Sequence, residues 1–275
     1  MKKMDRRTND ATGDPAYRNL YKGGAVAALI AALVFRRNLD AEYLLLSGMG
    51  IIKGGAVSAP NTITGWFELL QGNQMLGLTF LNVFDLVNYA LVGVLFLALY
   101  FALRRSSPAC MALAAALGLV GVTAYFASNQ AFTLLSLSDQ YAAARADAQR
   151  AALAAGGQAA LAIQDNNSYQ GGGLYPSFLL VSLTGLLVSA VMLRSDLFKG
   201  ATAYAGLLAN GFGLGYYAFL ILAPQFVFLP LSISAIFLLA WYVLTSVRLW
   251  KIGSNQVAPS AYRGTPYQKI VSGEL

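Results

Sequence analysis

Four polar residues stand together in an otherwise apolar stretch: Asn82, Asp85, Asn88 and Tyr89. On a helix, positions three and four apart are neighbours, so 82, 85 and 89 would share one face. Asp85 is the one acid well inside an apolar run long enough to cross a bilayer. A charge at the bilayer centre costs about 2.5–3.5 kcal/mol on insertion scales, so such a residue turns inward and marks a site or an internal ion pair. A carboxylate flanked by amides and a phenol could hold the polar end of a ligand or handle a proton. It could equally be neutralised by a cation and join helices. Arg36 and Arg37 are the candidate cations. Counted along straight helices from one membrane edge, they stand about 21–23 Å away and Asp85 about 28 Å, a gap that an arginine side chain spans. The alternative is that both arginines reach for the interface. Ser128-Asn129-Gln130 closes another apolar run. These residues could line the same pocket as Asp85, or bond loop backbone at a helix end. Asn210, Tyr204, Tyr216 and Tyr217 are weaker candidates, since interface anchoring already accounts for tyrosines.

The elements that would position these residues follow from composition. The chain has 275 residues, 57% of them hydrophobic and 11% charged. Soluble domains carry about 25% charged residues, so this chain cannot coat a water-facing globule of its size. Its apolar residues fall in long blocks, where a membrane β-barrel would show short alternating segments. A hydrocarbon core ~30 Å thick needs about 20 apolar residues per helix. Six runs qualify: a helix over about 17–46 that includes the apolar stretch 23–35, then 76–103, 109–135, 174–193, 201–222 and 226–249. No small-x-small cleavage site follows the first run, so it is read as a retained helix. The expected fold is all-α: a polytopic membrane bundle of about six transmembrane helices with a helical extracytoplasmic cap. The membrane domain covers 19–251, with outer loops at about 47–75 and 137–173 and polar tails at 1–18 and 252–275. In the first loop, 66–70 reads as a short helix lying at the interface. In the second, 141–155 is a strong helix former. Gly156-Gly157 should break it, and 158–163 should resume.

Basic residues set the expected orientation. Arg36, Arg37, Lys53, Arg145 and Arg150 fall on one side of the six spans, and the other fourteen of the 19 fall on the side of both termini. The excess marks the cytoplasmic side, so both termini are expected there. Such bias also accounts for the net charge of +7 without nucleic acid, which would need basic runs interleaved with aromatics. Lipid gives no hydrophobic push between helices, so close packing uses small residues at every fourth position. Gly24, Ala28 and Ala32 form one such seam, and Ala201, Ala205, Ala209 and Gly213 another.

The chain has no histidine and one cysteine, Cys110. That excludes histidine-ligated haem and metal, histidine acid/base chemistry and an intrachain disulfide. Cys110 is expected to be a plain packing residue. No nucleotide loop, nucleophile elbow or metal-ligand cluster is present. No acid, base and nucleophile can be assembled, and no cofactor or metal is expected.

The segment 82–89 followed by a span closing in Leu103-Arg104-Arg105, the segments 192–195 and 198–204, and Trp241-Tyr242 with Arg248-Leu249 carry a resemblance. Together they resemble an uncharacterised prokaryotic family of small multi-pass membrane proteins, a domain of unknown function, over about residues 17–252. The resemblance implies about six helices in a prokaryotic cell membrane and transfers no activity or site residue. Two functions are expected. One is binding or handling a small apolar or amphipathic ligand in an outer-facing polar pocket of Asn82, Asp85, Tyr89, Asn129 and Gln130. The other is an accessory or scaffold subunit of a larger membrane complex. The partners expected are the lipid bilayer and either a small apolar ligand or a membrane protein.

Overall fold

The computed structural model describes residues 14–48, 59–164, 174–198 and 200–254, with the backbone alone at 36–48, 174 and 228. Among the described residues there are ten α-helices, two short 3-10 turns and no strand. In chain order the helices are α1 (Arg18–Gly48), α2 (Ile63–Gly72), α3 (Gln74–Phe80), α4 (Val83–Leu103), α5 (Pro108–Ser128), α6 (Ala131–Ala143), α7 (Asp147–Gln164), α8 (Leu174–Leu193), α9 (Gly200–Leu222) and α10 (Phe228–Gly253). The chain is an all-α bundle with six helical segments long and apolar enough to cross a membrane: Pro15–Phe35, Val83–Leu103, Pro108–Ala143, Tyr175–Leu193, Gly200–Leu222 and Pro224–Gly253.

The membrane helices close into a ring. α1 packs on α4, α4 on α5, α5 on α8, α8 on α9, α9 on α10, and α10 back on α1. α4 and α8 also touch across the middle. Small residues permit these contacts. A Cβ on Gly24 would collide with the methyl group of Ala98, and Ala28 and Ala32 on the same stripe are buried. On α9, Ala205, Ala209 and Gly213 are buried, while Ala201 at the start of the expected seam is exposed. Large side chains fill what remains, among them Tyr21, Leu95, Leu99, Met111, Met192 and Trp241.

One face of the ring, the terminal face, carries the start of α1 and the end of α10. Asp14 organises it. Its carboxylate accepts from the Ala16 N–H (3.1 Å), which caps the turn before α1, and pairs with Arg105 (2.9 Å) in the α4–α5 turn. Arg104 lies over the rings of Tyr17 and Phe101, and Lys22 over Trp250. Cations stacked on aromatics suit the depth where water meets lipid. Cys110, expected to pack, is exposed in the first turn of α5.

The opposite face carries the cap: α2, α3, α6 and α7, joined by a second apolar core around Trp66, Phe67, Leu70 and Leu134. The expected interface helix at 66–70 is the middle of α2. It turns these side chains into the cap and packs on α6 and α7. Thr62 caps it by accepting from the Gly65 N–H (3.1 Å). The expected break at Gly156-Gly157 is absent, and α7 runs through both residues. A Cβ at Gly157 would come within 2.6–2.8 Å of Ile63 and Phe67, so that glycine serves close approach to α2.

Two expected spans are themselves interrupted at the cap face. The run 76–103 divides into α3 and α4 at Leu81-Asn82, and α5 stops at Ser128, with two residues between it and α6.

Candidate functional site

The break before α4 sets the site's geometry. Asn82 has φ 57°, the left-handed region, which asparagine tolerates better than most residues. It is the N-cap of α4 and not a position on its face, so Asn82, Asp85 and Tyr89 do not share a helix face as their spacing suggested. Asp85 therefore sits in the first turn of α4, where the positive end of the helix dipole favours a carboxylate. Burial next to the cap is thereby made less costly than at mid-helix.

The break also frees the Leu81 carbonyl, while that of Asn82 accepts the Asp85 N–H (3.1 Å), and side chains bond to both. Gln164, the last residue of α7, donates from Nε2 to the Leu81 carbonyl (2.7 Å), while its Oε1 accepts from the Gln130 N–H (2.7 Å). Asn129 donates from Nδ2 towards the carbonyls of Leu81 and Asn82 (3.4 Å each), and its Oδ1 accepts from the Ala131 N–H (3.1 Å). The Tyr125 hydroxyl donates to the Asn82 carbonyl (3.4 Å). One broken span is thus tied to the other, with the cap helix α7 as the third member. Asn129 and Gln130 hold backbone here: Gln130 Nε2 points at the carbonyls of Ala127 and Ser128 (3.5 and 3.4 Å).

Phenols of three helices lie within electrostatic reach of Asp85. The carboxylate acts electrostatically on Tyr89, Tyr125 and Tyr242. The Tyr89 and Tyr125 rings stack at 3.7 Å, 12° from parallel. Tyr89 is also in hydrogen-bonding contact with Ser177 of α8, whose hydroxyl donates to the Gly121 carbonyl of α5 (2.7 Å). Behind them, the Tyr217 hydroxyl donates to the Tyr175 carbonyl (2.6 Å), and the rings of Tyr175, Phe178, Tyr216 and Tyr217 pack edge to face. Asp85 and Tyr89 are half-buried, whereas Tyr125, Tyr217 and Tyr242 are buried. The group combines a carboxylate, hydroxyls and aromatic faces in a bundle interior, which suits the polar end of an amphipathic molecule or a cationic group. Among the described residues no three histidine, cysteine, aspartate or glutamate side chains converge as a metal site.

Of the residues singled out from sequence, the structure brings Asp85 and Tyr89 together and sets Asn82, Asn129 and Gln130 one layer above them as backbone supports. The expected pairing of Asp85 with Arg36 or Arg37 falls on side chains outside the described ones. The helix register does bear on it. α1 and α4 run antiparallel with Gly24 against Ala98, and counting equally outward from that contact brings residue 37 of α1 level with Asp85. Sequence reasoning missed Tyr125, Ser177, Tyr242 and Gln164. Tyr125 was within reach, since it stands one helical turn before Asn129; the others depend on which helices neighbour α4. No family model, no curated protein and no solved structure matches the chain. The helices and this polar group therefore stand as the basis for a functional reading.

Proposed function

We propose that the chain is a multi-pass protein of a prokaryotic cell membrane that binds a small amphipathic molecule, with the polar end of that molecule at Asp85 and its tyrosines. The observation that carries this reading is a half-buried carboxylate that acts electrostatically on Tyr89, Tyr125 and Tyr242 in the part of the bundle next to the cap. The lysine and arginine bias supports an orientation with both termini in the cytoplasm and the cap outside. Arg36 or Arg37 is the countercharge in this reading, and the ligand's polar group shares the carboxylate with it.

The test is to purify the protein gently, extract what is bound, and compare wild type with Asp85→Asn and Tyr89→Phe by mass spectrometry. Hydrogen bonds to charged groups contribute about 1.5–3 kcal/mol, so Asp85→Asn should lower retained ligand by roughly tenfold or more. Equal retention by all three proteins would sink the reading. The same Asp85→Asn variant should melt at lower temperature in detergent if an arginine is left without its partner, and unchanged melting would remove the ion pair.

A second reading, an accessory subunit of a larger complex, has one observation in its favour. An apolar groove of about 360 Å³ runs along the outside of α9 and α10, opened by Gly211 and Gly215 and floored by Phe212 and Pro230. Helix partners favour notches of this kind in membranes.

A further inference from the structure

Some cations of the terminal face are held within the chain and others are not. Arg104 and Arg105, in the turn between α4 and α5, share the Asp14 carboxylate at 3.8 and 2.9 Å. Arg104 also lies over the rings of Tyr17 and Phe101. Arg248 donates to the backbone carbonyls of Leu197 and Asp196. Arg18 and Lys22, at the start of α1, have no such arrangement. Among the described residues no side-chain hydrogen bond or ion pair holds either of them. Arg194 and Lys251 are likewise unheld, but Arg18 and Lys22 are the two that share one helix face. Four residues apart, they stand one turn above the other, where like charges repel.

The packing of α1 on α10 brings both cations to one place. A Cβ on Gly253 would lie 2.9 Å from Lys22 Cγ and 3.0 Å from the Arg18 carbonyl oxygen, so the glycine lets the last turn of α10 close on the first turns of α1. Deeper along the same joint, the Ser246 hydroxyl donates to the Ala25 carbonyl (2.7 Å) and fixes the register. Lys22 then reaches across to α10, where its ammonium stands 5.8 Å from the centre of the Trp250 ring. Arg18 is exposed, and Trp250 is 48% exposed. Two of the six apolar segments end here: Pro15–Phe35 begins at this face and Pro224–Gly253 stops at it. That is the depth of lipid headgroups, where tryptophan settles. The acids of this face among the described residues are elsewhere. Asp14 is committed to Arg104 and Arg105, and Asp196 belongs to the turn between α8 and α9, beside Arg248.

We propose that the start of α1 and the end of α10 form a site for the headgroup of an acidic phospholipid, with Arg18 and Lys22 on its phosphate and Trp250 beside it. Two cations and an indole N–H are all donors, so the group they hold is an acceptor with negative charge. A bilayer presents such groups at this depth. A zwitterionic headgroup fits less well, because its own ammonium would meet the second cation. An acidic headgroup, with uncharged hydroxyls beyond the phosphate, relieves the repulsion between Arg18 and Lys22 and adds none. Basic sites between membrane helices recognise acidic headgroups by this chemistry. The site is independent of any ligand at Asp85, which lies next to the cap on the opposite face.

The test places the full chain in nanodiscs of phosphatidylcholine with about one part in ten of phosphatidylglycerol and reads the retained lipids by native mass spectrometry. Wild type should keep phosphatidylglycerol well beyond its share of the bilayer. Lys22→Gln should lower that preference about fivefold, and Arg18→Gln with Lys22→Gln roughly tenfold or more, as expected for cations at an anionic headgroup. Arg194→Gln is the control. It removes an exposed cation from the end of α8 on the same face and should change the preference less than about twofold. A wild type that keeps the two lipids in the proportions of the bilayer would overturn the proposal. Equal losses in Lys22→Gln and Arg194→Gln would also overturn it, because the lipid would then answer to the total charge of the face and not to this joint. The wild type and the two single variants decide the matter even if the double variant fails to fold.

Discussion

The polar groups under the cap and those along the α8–α9–α10 seam solve the same problem in opposite ways. Under the cap, two helices break, and side chains turn to the carbonyls at the first break: Gln164 and Asn129 to Leu81, Asn129 and Tyr125 to Asn82. Where α8, α9 and α10 meet no helix breaks, and Ser189 and Trp241 come together at Gly206 with polar atoms that, like the hydroxyl of Thr245 one turn further along α10, have no hydrogen-bond partner. Breaking a helix in the membrane creates demand for donors; an unbroken helix with buried hydroxyls creates demand for something else to bond. The first arrangement makes a rigid frame around Asp85. The second makes a soft, polar join between helices.

The joint of α8, α9 and α10 is most sensitive at Gly206. Gly206→Leu forces a side chain into Ser189 and Trp241, and overpacking costs typically 1–3 kcal/mol or more. We expect this substitution to lower the detergent melting temperature the most, with ring helices α8, α9 and α10 exchanging amide protons faster while the cap is unaffected. Next is Gln164→Ala. It leaves the Leu81 carbonyl to the long bond from Asn129 and the Gln130 N–H unpaired, at about 1–3 kcal/mol for a buried group. Exchange should rise at the starts of α4 and α6 and stay low in the seam. If Gln164→Ala instead loosens α9, the two regions are not separate. The smallest effects are at Asn82. Asn82→Gly keeps the left-handed turn and should stay within about 0.5 kcal/mol of wild type, whereas Asn82→Val should lose about 1–2 kcal/mol through the Cβ clash alone. Equal melting of the two would show that the turn imposes no backbone constraint.

The all-helical architecture was legible in the sequence because each membrane helix needs an apolar run of its own, and the runs at 174–193 and 201–222 coincide with α8 and α9 within a residue or two. The interruptions were not legible. Leu81-Asn82 lies inside an apolar stretch with no proline or glycine at the break, and what stabilises it is Gln164, more than eighty residues away in sequence. Gly156-Gly157 misled in the other direction. A glycine pair lowers helix propensity by about 1 kcal/mol per residue, but at Gly157 that cost is outweighed by close packing on Ile63 and Phe67. Asp85 could be found because a single acid in an apolar run has few explanations. Its neighbours Tyr242 and Ser177 could not, because they depend on the order in which six helices close the ring.

The claim that most needs testing is that the Asp85 group is a binding site. Native mass spectrometry of the protein extracted gently from its own membrane addresses it directly. We expect a single chain carrying a discrete small-molecule mass that disappears in Asp85→Asn. A chain that carries no added mass, or one that travels with a stoichiometric protein partner and no small molecule, would contradict the account.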